Sequence, residues 1–300
     1  MKRRPVVPPT EQPNPRTARI DRLSTRAILA LLNREDARVA TAVRRTLPQI
    51  ARAVDAIVKA LRRGHRLFYV GAGSSGRLGV LDAVECPPTF QVSPRSIQTV
   101  LAGGRRAMFR SAEAAEDSPA AGARDFARKG VRRGDVVVVL SASGATPYTL
   151  GALGYARRVG ATTVAVSANR RSPLARRAQI AICPETGPEA IAGSTRLKAG
   201  TAQKLVLNLL STAAMIRLGH VYRNLMVNVQ LSNRKLRWRG ARVLEEALGC
   251  SETEAGRVIR RSQGNLKAAI VMARLGCSRR EAERRLAGAG GHVWRALGER

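Results

Sequence analysis

Aromatic residues and cysteines are scarce in this chain of 300 residues, and each scarcity narrows the possibilities. Phenylalanine, tryptophan and tyrosine make up 3% of the sequence, so the core has to be built from Ala, Val, Leu and Ile. The four cysteines, Cys86, Cys183, Cys250 and Cys277, form no CxxC pair and have no histidines at metal-ligand spacing. Reduced, buried thiols are therefore expected, and no metal site is predicted.

Long apolar runs are also absent. No stretch of 18 uninterrupted apolar residues occurs. The N-terminal sequence MKRRPVVPPTEQPNP is basic but broken by prolines, and it lacks the apolar stretch of a signal peptide. These features predict a soluble, cytoplasmic protein without a membrane span.

Acidic residues are few, and the chain is strongly basic as a result. Asp and Glu number 21 against 53 Lys and Arg, of which 46 are arginine, and the formal net charge is +32. Such a charge invites a nucleic-acid partner. However, the arginines are spread over every segment, and the few aromatics leave little for base stacking. We therefore do not favour nucleic-acid binding, and expect the charge to steer anionic substrates.

Apolar runs that alternate with segments of helical composition predict the fold. Strands are expected at residues 67–71, 96–102, 135–140, 162–167 and 178–183. This alternation is typical of an α/β protein with a doubly wound, mainly parallel five-stranded sheet. Such sheets bind ligands at the carboxyl ends of their strands. A long helix is expected at about 195–218.

The chain divides into three predicted parts. Residues 1–52 form an N-terminal arm, extended over 1–15, with helices; 53–232 form the sheet domain; 233–300 form a small all-helical domain. The last part contains an internal repeat of 27 residues, because LGCS at 248–251 recurs at 275–278 and further matches follow at the same offset. This repeat predicts two similar helical hairpins.

A glycine–serine turn, GAGSSGR at residues 71–77, follows the first predicted strand and opens a helix. Its glycines let a phosphate approach the backbone, Ser74 and Ser75 offer hydroxyl donors, and the helix N-terminus offers amides. The turn also fits the dinucleotide pattern GxGxxG, but the second strand ends in AGGR, without an acid for the ribose. Since Arg105 suits a 2′-phosphate, a dinucleotide stays an open alternative, although we predict no cofactor.

A second hydroxyl-rich loop, SASGAT at 141–146, follows the third predicted strand and enters another helix. Ser141, Ser143 and Thr146 are expected to converge with the first turn on one anion, since the carboxyl ends of neighbouring parallel strands lie together. Helix capping by these hydroxyls is the plainer alternative. Two such loops suit the terminal phosphate of a sugar better than a bridging pyrophosphate.

A third segment, residues 187–204, leads from the last strand into the long helix. Ser194 or Thr195 is expected to cap this helix, with Arg196 and Lys198 in its first turn. Cations are unfavourable at the positive end of a helix dipole, so their placement suggests an anion among them. Solvated surface charge is the alternative.

Carboxylates are the best candidates for acid–base chemistry. The three histidines lie before the first strand, after the long helix and in the repeat, so none suggests a base at the sheet edge. Glu85 stands beside Cys-Pro-Pro, and Glu116 follows the second strand. Two carboxyl groups of opposite protonation can act as acid and base when burial raises the pKa of one. A surface acid or a helix cap is the alternative for each.

The chain closely resembles the N-acetylmuramic acid 6-phosphate etherases, a family built on the sugar-isomerase (SIS) fold and related to the glucokinase regulatory protein. The similarity runs nearly end to end. It is carried by GAGSSGRLGVLDAVECPPTF at 71–90, LAGG at 101–104, AEDS at 115–118, SASGATPY at 141–148 and GPEAIAGSTRLKAGTAQKLVLNLLST at 187–212. Within the last stretch, residues 187–204 resemble a highly specific family signature. The departures, Ser74 for a common threonine and Val84 for a small polar residue, remove no group that the chemistry requires.

The resemblance implies a lyase that cleaves the lactyl ether at C3 of N-acetylmuramic acid 6-phosphate, giving N-acetylglucosamine 6-phosphate and D-lactate. It makes Glu85 the proton donor and Glu116 the partner acid or base. The implied ligands of the phosphate are Ser74, Ser75, Ser141, Ser143 and Thr146, with Ser194 and Lys198 as further candidates. A non-catalytic sugar-phosphate-binding regulator on the same fold is the alternative, but the chain is half the length that such a two-domain regulator requires.

The spacing of the turn and Glu85 raises a geometric problem. In an unbroken helix, Glu85 lies ten residues beyond Ser75, or about 15 Å along the axis. Only a few bonds separate the 6-phosphate of a hexose from its C3 oxygen. Either the helix breaks near Gly79, or a homodimer shares the site, with one chain supplying the turn and the other the acid. We favour the dimer.

Overall fold

The computed structural model describes residues 7–229, 231 and 233–299. Residues 1–6 of the predicted arm, Ser232 at the predicted domain boundary, Gln230 and Arg300 lie outside the described residues. Within the described part of the chain, none of the helices combines the length and the apolar character that crossing a membrane requires.

Among the described residues, five parallel strands form one sheet, as predicted. They are β1 (Leu67–Gly71), β2 (Ile97–Leu101), β3 (Val136–Leu140), β4 (Thr162–Val166) and β5 (Ile180–Ile182). The order across the sheet is β2-β1-β3-β4-β5. The central strand β3 is fully buried, as expected for a run of valines covered on both faces. Because the order reverses between β1 and β3, the carboxyl ends of these strands flank a crevice that binds ligands in sheets of this type.

Helices cover both faces of the sheet, which confirms the doubly wound arrangement. The helices of this region are α1 (Thr25–Arg44), α2 (Leu47–Arg62), α3 (Gly73–Phe90), α4 (Pro119–Arg128), α5 (Pro147–Arg158), α6 (Pro173–Arg177) and α7 (Lys198–Arg217). On one face, Phe126, Leu153 and Leu174 of α4, α5 and α6 pack on β1 and β3. On the other, α3 approaches so closely that a Cβ on Gly79 would lie 3.0 Å from Cβ of Tyr69.

The N-terminal segment is folded where the structure describes it, so the prediction of an extended arm is wrong there. Short 3-10 helices span Pro9–Glu11, Pro15–Thr17 and Ile20–Arg22. Thr10, Asn14 and Thr17 are buried. Buried polar side chains are generally hydrogen-bonded. Asn14 and Thr17 donate through their side chains to the segment that precedes α7, and the backbone carbonyl of Thr10 accepts from Gly193 in the same segment.

Contacts divide the chain into two compact units. The first contains the residues up to Ala83 together with Arg95–Ser211, and therefore the sheet and the N-terminal helices; the second contains Val84–Pro94 and the residues from Thr212 onward. The predicted divisions at residues 52 and 232 stay predictions. The second unit includes a short antiparallel pair, β6 (Val221–Tyr222) and β7 (Leu225–Met226), and the helices of the repeat.

The internal repeat forms two similar helical hairpins, as predicted. Its helices are α8 (Arg234–Leu248), α9 (Glu252–Arg261), α10 (Leu266–Leu275), α11 (Arg279–Gly288) and α12 (Val293–Ala296). Gly249 and Gly276, one repeat apart, end their helices with φ of 69° and 63°. Ser251 and Ser278 then cap the following helices. The same arrangement, a glycine that ends one helix and a serine that caps the next, therefore occurs twice at an offset of 27 residues.

Candidate active site

The glycine–serine turn after β1 is tightly closed. The helix α3 begins at Gly73, and its first helical bond runs from the amide of Gly76 to the carbonyl of Ala72 over 3.1 Å. A Cβ on Gly76 would lie 2.6 Å from the carbonyl oxygen of Gly71 and 2.4 Å from Cδ1 of Leu101. Only glycine therefore fits at residue 76.

The first turn of α3 offers donors to an anion. The amides of residues 73–75 precede the first helical bond, so they are the amides that a helix leaves unpaired at its N-terminus. Ser74 and Ser75 lie in this turn and are half-buried. Amides, hydroxyls and the positive end of a helix dipole are groups that bind phosphate at helix N-termini in other proteins, and phosphate binding at this turn stays a prediction.

The carboxylate of Glu116 lies against this turn. Glu116 ends a short 3-10 helix, Glu113–Glu116, and a Cβ on Gly73 would stand 2.9 Å from its Oε1. The loop that carries Glu116 is fastened to α3 by Arg77, whose guanidinium donates to the carbonyls of Ala107 and Arg110 over 3.0 and 3.1 Å. The loop after β2 thus brings an acid to the glycine–serine turn.

Burial raises the pKa of the Glu116 carboxyl above its ordinary value, and Asp117 and Glu113 raise it further. The positive charge of Arg77 opposes this shift. A carboxyl group with a raised pKa holds a proton closer to neutral pH, which suits general acid–base work.

The second hydroxyl-rich loop follows β3, across the switch point from the first turn. Ser141 is buried, and its Oγ accepts from the amide of Gly144 over 3.0 Å and lies 2.9 Å from Oγ1 of Thr146. Ser143 accepts from the amide of Ala145 over 3.2 Å. Ser143 and Thr146 are half-buried. The buried hydroxyl of Ser141 therefore holds the loop in its conformation, whereas Ser143 and Thr146 are partly accessible to solvent.

The start of α7 packs beside the same loops. Ala199 in its first turn forms a buried cluster with Ala142 after β3 and Ala168 after β4. A Cβ on Gly200 would lie 4.0 Å from Cδ1 of Leu78 on α3. The start of α7 thus packs against the loops after β3 and β4 and approaches α3.

The N-terminus of α7 is occupied by a carboxylate of the chain itself. Glu189 is fully buried, and its two oxygens accept from the backbone amides of Lys198 and Ala199 over 2.9 Å each. The prediction that Ser194 or Thr195 caps this helix is wrong, because the helix begins at Lys198 and Glu189 supplies the cap. Ser194 lies half-buried in the turn before it.

The side chain of Lys198 is also paired inside the protein. It is 0% exposed, and its Nζ donates to Oε2 of Glu35 on α1 over 2.6 Å. An anion was expected among Arg196 and Lys198 from their position at the helix start. The structure provides two internal ones, Glu189 and Glu35, and direct contact of Lys198 with a ligand stays a prediction.

A cavity of about 410 Å³ opens elsewhere on the first unit, between α1, α2 and the edge strand β5. Its lining includes Arg45, Arg52, Arg170, Cys183 and Glu185. None of the serines of the two loops lines it, so it is distinct from the crevice described above. Among the described residues, no group of three or more His, Cys, Asp or Glu side chains is arranged to hold a metal ion.

Two protein-family models match the chain: the glucokinase regulatory protein N-terminal SIS domain over residues 49–157, and the SIS domain over residues 109–213. The N-acetylmuramic acid 6-phosphate etherase 2 of Vibrio cholerae is 51% identical over 290 residues, covering 97% of this chain and 94% of that protein. The corresponding etherase of Symbiobacterium thermophilum is 57% identical over 252 residues, covering 84% of each. The chain belongs to the N-acetylmuramic acid 6-phosphate etherase family.

In this etherase-family chain, Glu85 is exposed on α3. The helix is continuous from Gly73 to Phe90, so the possibility of a break near Gly79 is wrong. Val84, next to Glu85, is 57% exposed, and Leu81 one turn earlier is 40% exposed. The structure thus leaves an acid and two apolar side chains on the surface of one helix.

Sequence reasoning missed the residues that organise the start of α7. Glu189 stands within the quoted motif GPEA, and Glu35 lies in the middle of α1, far from any motif. Glu189 had a usable signal, because an acid nine residues before a helix start is within reach of its free amides. Glu35 had none, since its hydrogen-bond partners Asn14, Arg16 and Lys198 are 21, 19 and 163 residues away.

Proposed function

We propose that this chain cleaves the lactyl ether of N-acetylmuramic acid 6-phosphate to N-acetylglucosamine 6-phosphate and D-lactate, without a cofactor and in the cytoplasm. The observation that carries the proposal is the Glu116 carboxylate held against a phosphate turn at the switch point of the sheet. The names of the full-length relatives specify the substrate. The regulator on the same fold stays the alternative that the experiment below addresses.

The phosphate is proposed to bind between the two loops. The amides of residues 73–75, the hydroxyls of Ser74 and Ser75, and those of Ser143 and Thr146 are the available donors. Ser141 supports this site through its contacts with Gly144 and Thr146. Binding to hydroxyls and amides leaves the phosphate without a paired cation, and the net charge of +32 supplies the long-range attraction.

The reaction is proposed to start from the open-chain aldehyde of the sugar. The carbonyl at C1 acidifies the C2 hydrogen, which a carboxylate removes as a proton. The C3–O bond then breaks, a second carboxyl donates a proton to the departing lactyl oxygen, and an unsaturated aldehyde remains. Water adds its hydroxyl to C3 and a proton returns to C2. The net change is hydrolysis of one ether bond, with no oxidation or reduction.

Glu116 and Glu85 are proposed as the two carboxyl groups, with Glu85 as the proton donor to the lactyl oxygen. Since α3 is unbroken, Glu85 lies about 15 Å along the helix from Ser75. The proposed homodimer resolves this distance, because a second chain can bring its own Glu85 to the turn and Glu116 of the first. The exposed Leu81 and Val84 beside Glu85 support burial of this helix surface in such a dimer.

Incubation with N-acetylmuramic acid 6-phosphate tests the activity. We expect release of D-lactate, and in D2O we expect deuterium at C2 of the N-acetylglucosamine 6-phosphate formed. Direct displacement at the lactyl carbon would leave C2 unlabelled and contradict the mechanism. Binding of the sugar phosphate by calorimetry without any lactate release would instead support the regulator.

Co-expression of two inactive variants tests the shared site. Glu85→Gln and Glu116→Gln chains each lack one carboxylate, but a mixed dimer contains one intact site if the two groups come from different chains. Random pairing then restores about a quarter of the wild-type activity. Activity no higher than that of either variant alone would contradict sharing of these two residues.

A further inference from the structure

We infer that Glu35 and Lys198 are positioning residues for the sugar-phosphate site, and that the N-terminal segment, residues 8–22, is part of its architecture. The inference rests on the proposed function. It differs from the interpretation of Lys198 as a ligand, because it assigns the effect of Lys198 to the pairing with Glu35 rather than to contact with the phosphate.

Glu35 is the centre of a buried network. Its carboxylate is 2% exposed and accepts from Nζ of Lys198 over 2.6 Å and from Nδ2 of Asn14 over 2.9 Å. Arg16 donates to it through Nε and Nη2, the latter over 2.9 Å. These donors hold the pKa of the Glu35 carboxyl well below its usual range, with the hydrogen bond from Arg16 as the largest cause. The carboxylate therefore stays charged over the whole physiological range.

The N-terminal segment also binds the loop before α7 directly. Oγ1 of Thr17 donates to the carbonyl of Ala190 over 2.8 Å, and the amide of Gly193 donates to the carbonyl of Thr10 over 2.9 Å. Asn14 donates to the carbonyl of Pro188 over 3.3 Å as well as to Glu35. The loop at residues 187–197, which we term the pre-α7 loop, is thus held at several points by residues 10–17.

Lys198 joins this network to the crevice. Its backbone amide is held by Glu189 and its side chain by Glu35, so the first residue of α7 is fixed at both ends. The next residue, Ala199, packs on Ala142 and Ala168 in the loops after β3 and β4. A shift of Lys198 therefore moves the surface on which the second hydroxyl loop rests. Misplacement of binding groups by such shifts weakens substrate binding.

The burial of Lys198 argues against a direct contact with the phosphate. Its side chain is 0% exposed, and its ammonium is bound to a carboxylate at 2.6 Å. Removal of one partner of a buried ion pair is strongly destabilising because the other charge stays buried without a partner. Replacement of both partners by uncharged residues destabilises the protein much less. This asymmetry gives the inference a sharp test.

The test compares Glu35→Gln with Glu35→Gln/Lys198→Met. Glu35→Gln leaves the Lys198 ammonium buried without a carboxylate, and we expect KM to rise about tenfold or more with kcat changed less. Adding Lys198→Met removes the unpaired charge, and we expect KM to return to within about threefold of wild type. Removal of a direct phosphate ligand would raise KM further, so a higher KM in the double variant overturns the inference.

The dissociation constant of N-acetylglucosamine 6-phosphate, measured by calorimetry, gives the same comparison without turnover. A wild-type chain that binds this product but releases no lactate would refute the proposed function and leave the positioning inference intact. If Glu35→Gln does not fold, Asn14→Ala serves in its place. It removes one bond to Glu35 and one to Pro188, and we expect KM to rise about twofold to fivefold at constant kcat.

The matched control is the pair Arg279 and Glu283 on α11, of which Arg279 is half-buried and Glu283 exposed; Nε of Arg279 lies 2.7 Å from Oε1 of Glu283. Arg279→Met and Glu283→Gln make the same kinds of change at the surface and should leave KM, kcat and the dissociation constant unchanged. A fall in melting temperature with Glu35→Gln at unchanged KM and unchanged dissociation constant would make the network purely structural and overturn the inference.

Discussion

The helices α3 and α7 begin at the same edge of the sheet, but their N-terminal amides differ in whether a group of the chain binds them. The first turn of α3 carries glycines and two serines, and the amides of residues 73–75 precede its first helical bond. The first turn of α7 is filled by the carboxylate of Glu189, which accepts from two of its amides at 2.9 Å. One helix N-terminus is open to a ligand anion, and the other is closed by an anion of the chain.

The difference shows that a sequence can predict an anion at a helix N-terminus without indicating whether that anion is a ligand or a carboxylate of the chain itself. Hydroxyls and cations near the start of a helix are the same signal in both segments. At α3 the nearest acid, Glu116, lies beside the turn and has a raised pKa. At α7 the acids Glu189 and Glu35 are buried within the network. Glu189 lies nine residues from Lys198 along the chain, whereas Glu35 lies 163 residues away, so only the fold brings Glu35 to the start of α7.

The largest expected effect is at the open helix. Glu116→Gln keeps the size of the side chain but removes its acid–base function, and we expect kcat to fall by about 10²- to 10⁴-fold. Steady-state release of D-lactate measures the effect. Full activity would remove Glu116 from the proposed mechanism.

Glu113→Gln is the matched control, since Glu113 is exposed in the same 3-10 helix and raises the pKa of Glu116. This variant should keep its activity. The limb of the pH–rate profile that belongs to Glu116 should move to lower pH, because a negative charge that favoured the protonated form is gone. An unchanged profile would assign that limb to another group.

At α7, whose N-terminal amides bind Glu189, we expect loss of this carboxylate to lower the free energy of unfolding. Glu189→Ala leaves the amides of Lys198 and Ala199 buried without their acceptor, which costs about 2–5 kcal/mol of the free energy of unfolding. Urea titration measures it, with the exposed Glu185→Ala as the control, expected to stay within about 0.5 kcal/mol of wild type. Equal losses in the two variants would mean that Glu189 does not close the helix.

Much of this architecture was predictable because its signals are local. The strands after residue 67, the glycine–serine turn and the 27-residue repeat all depend on residues close in sequence. The run at 136–140 can bury both faces only as a central strand, and Gly249 and Gly276 recur where a left-handed residue must end a helix. These predictions are confirmed within a residue or two of their boundaries.

The unpredicted parts depend on contacts between distant segments. The N-terminal segment contains prolines that favour an extended chain, yet Thr10, Asn14 and Thr17 are buried by their bonds to residues 188–193 and Glu35. Lys198 was expected to lie beside a ligand anion because a cation is unfavourable in the first turn of a helix. Its actual partner, Glu35, lies on α1, and no local pattern links the two.

Serine-to-alanine variants at α3 and before α7 compare the two helix starts, with smaller expected effects. Ser75→Ala removes a proposed donor to the phosphate at the open helix, and we expect kcat/KM to fall about 10- to 100-fold, as for one hydrogen bond to a charged group. Ser194→Ala, in the turn before the closed helix, should lower kcat/KM by less. Both values come from D-lactate release at low substrate concentration. A larger effect at Ser194 would make the pre-α7 loop the principal phosphate site.

The smallest expected effect is the acid sensitivity of the closed helix. The folded-state pKa of Glu35 lies below its unfolded value, so its stabilising contribution is present above the unfolded pKa and is lost as the pH falls toward the folded one. For an unfolded pKa of about 4.3, the loss between pH 5 and pH 4 is about 0.5 kcal/mol. Urea titrations at pH 5 and pH 4 give the change in the free energy of unfolding for wild type and for Glu35→Gln/Lys198→Met. The two proteins share all other carboxylates, so the difference between the two changes measures the loss. The open helix offers no such contribution, since the pKa of Glu116 is shifted upward. A double variant as acid-sensitive as wild type would mean that Glu35 does not supply the charge that holds Lys198.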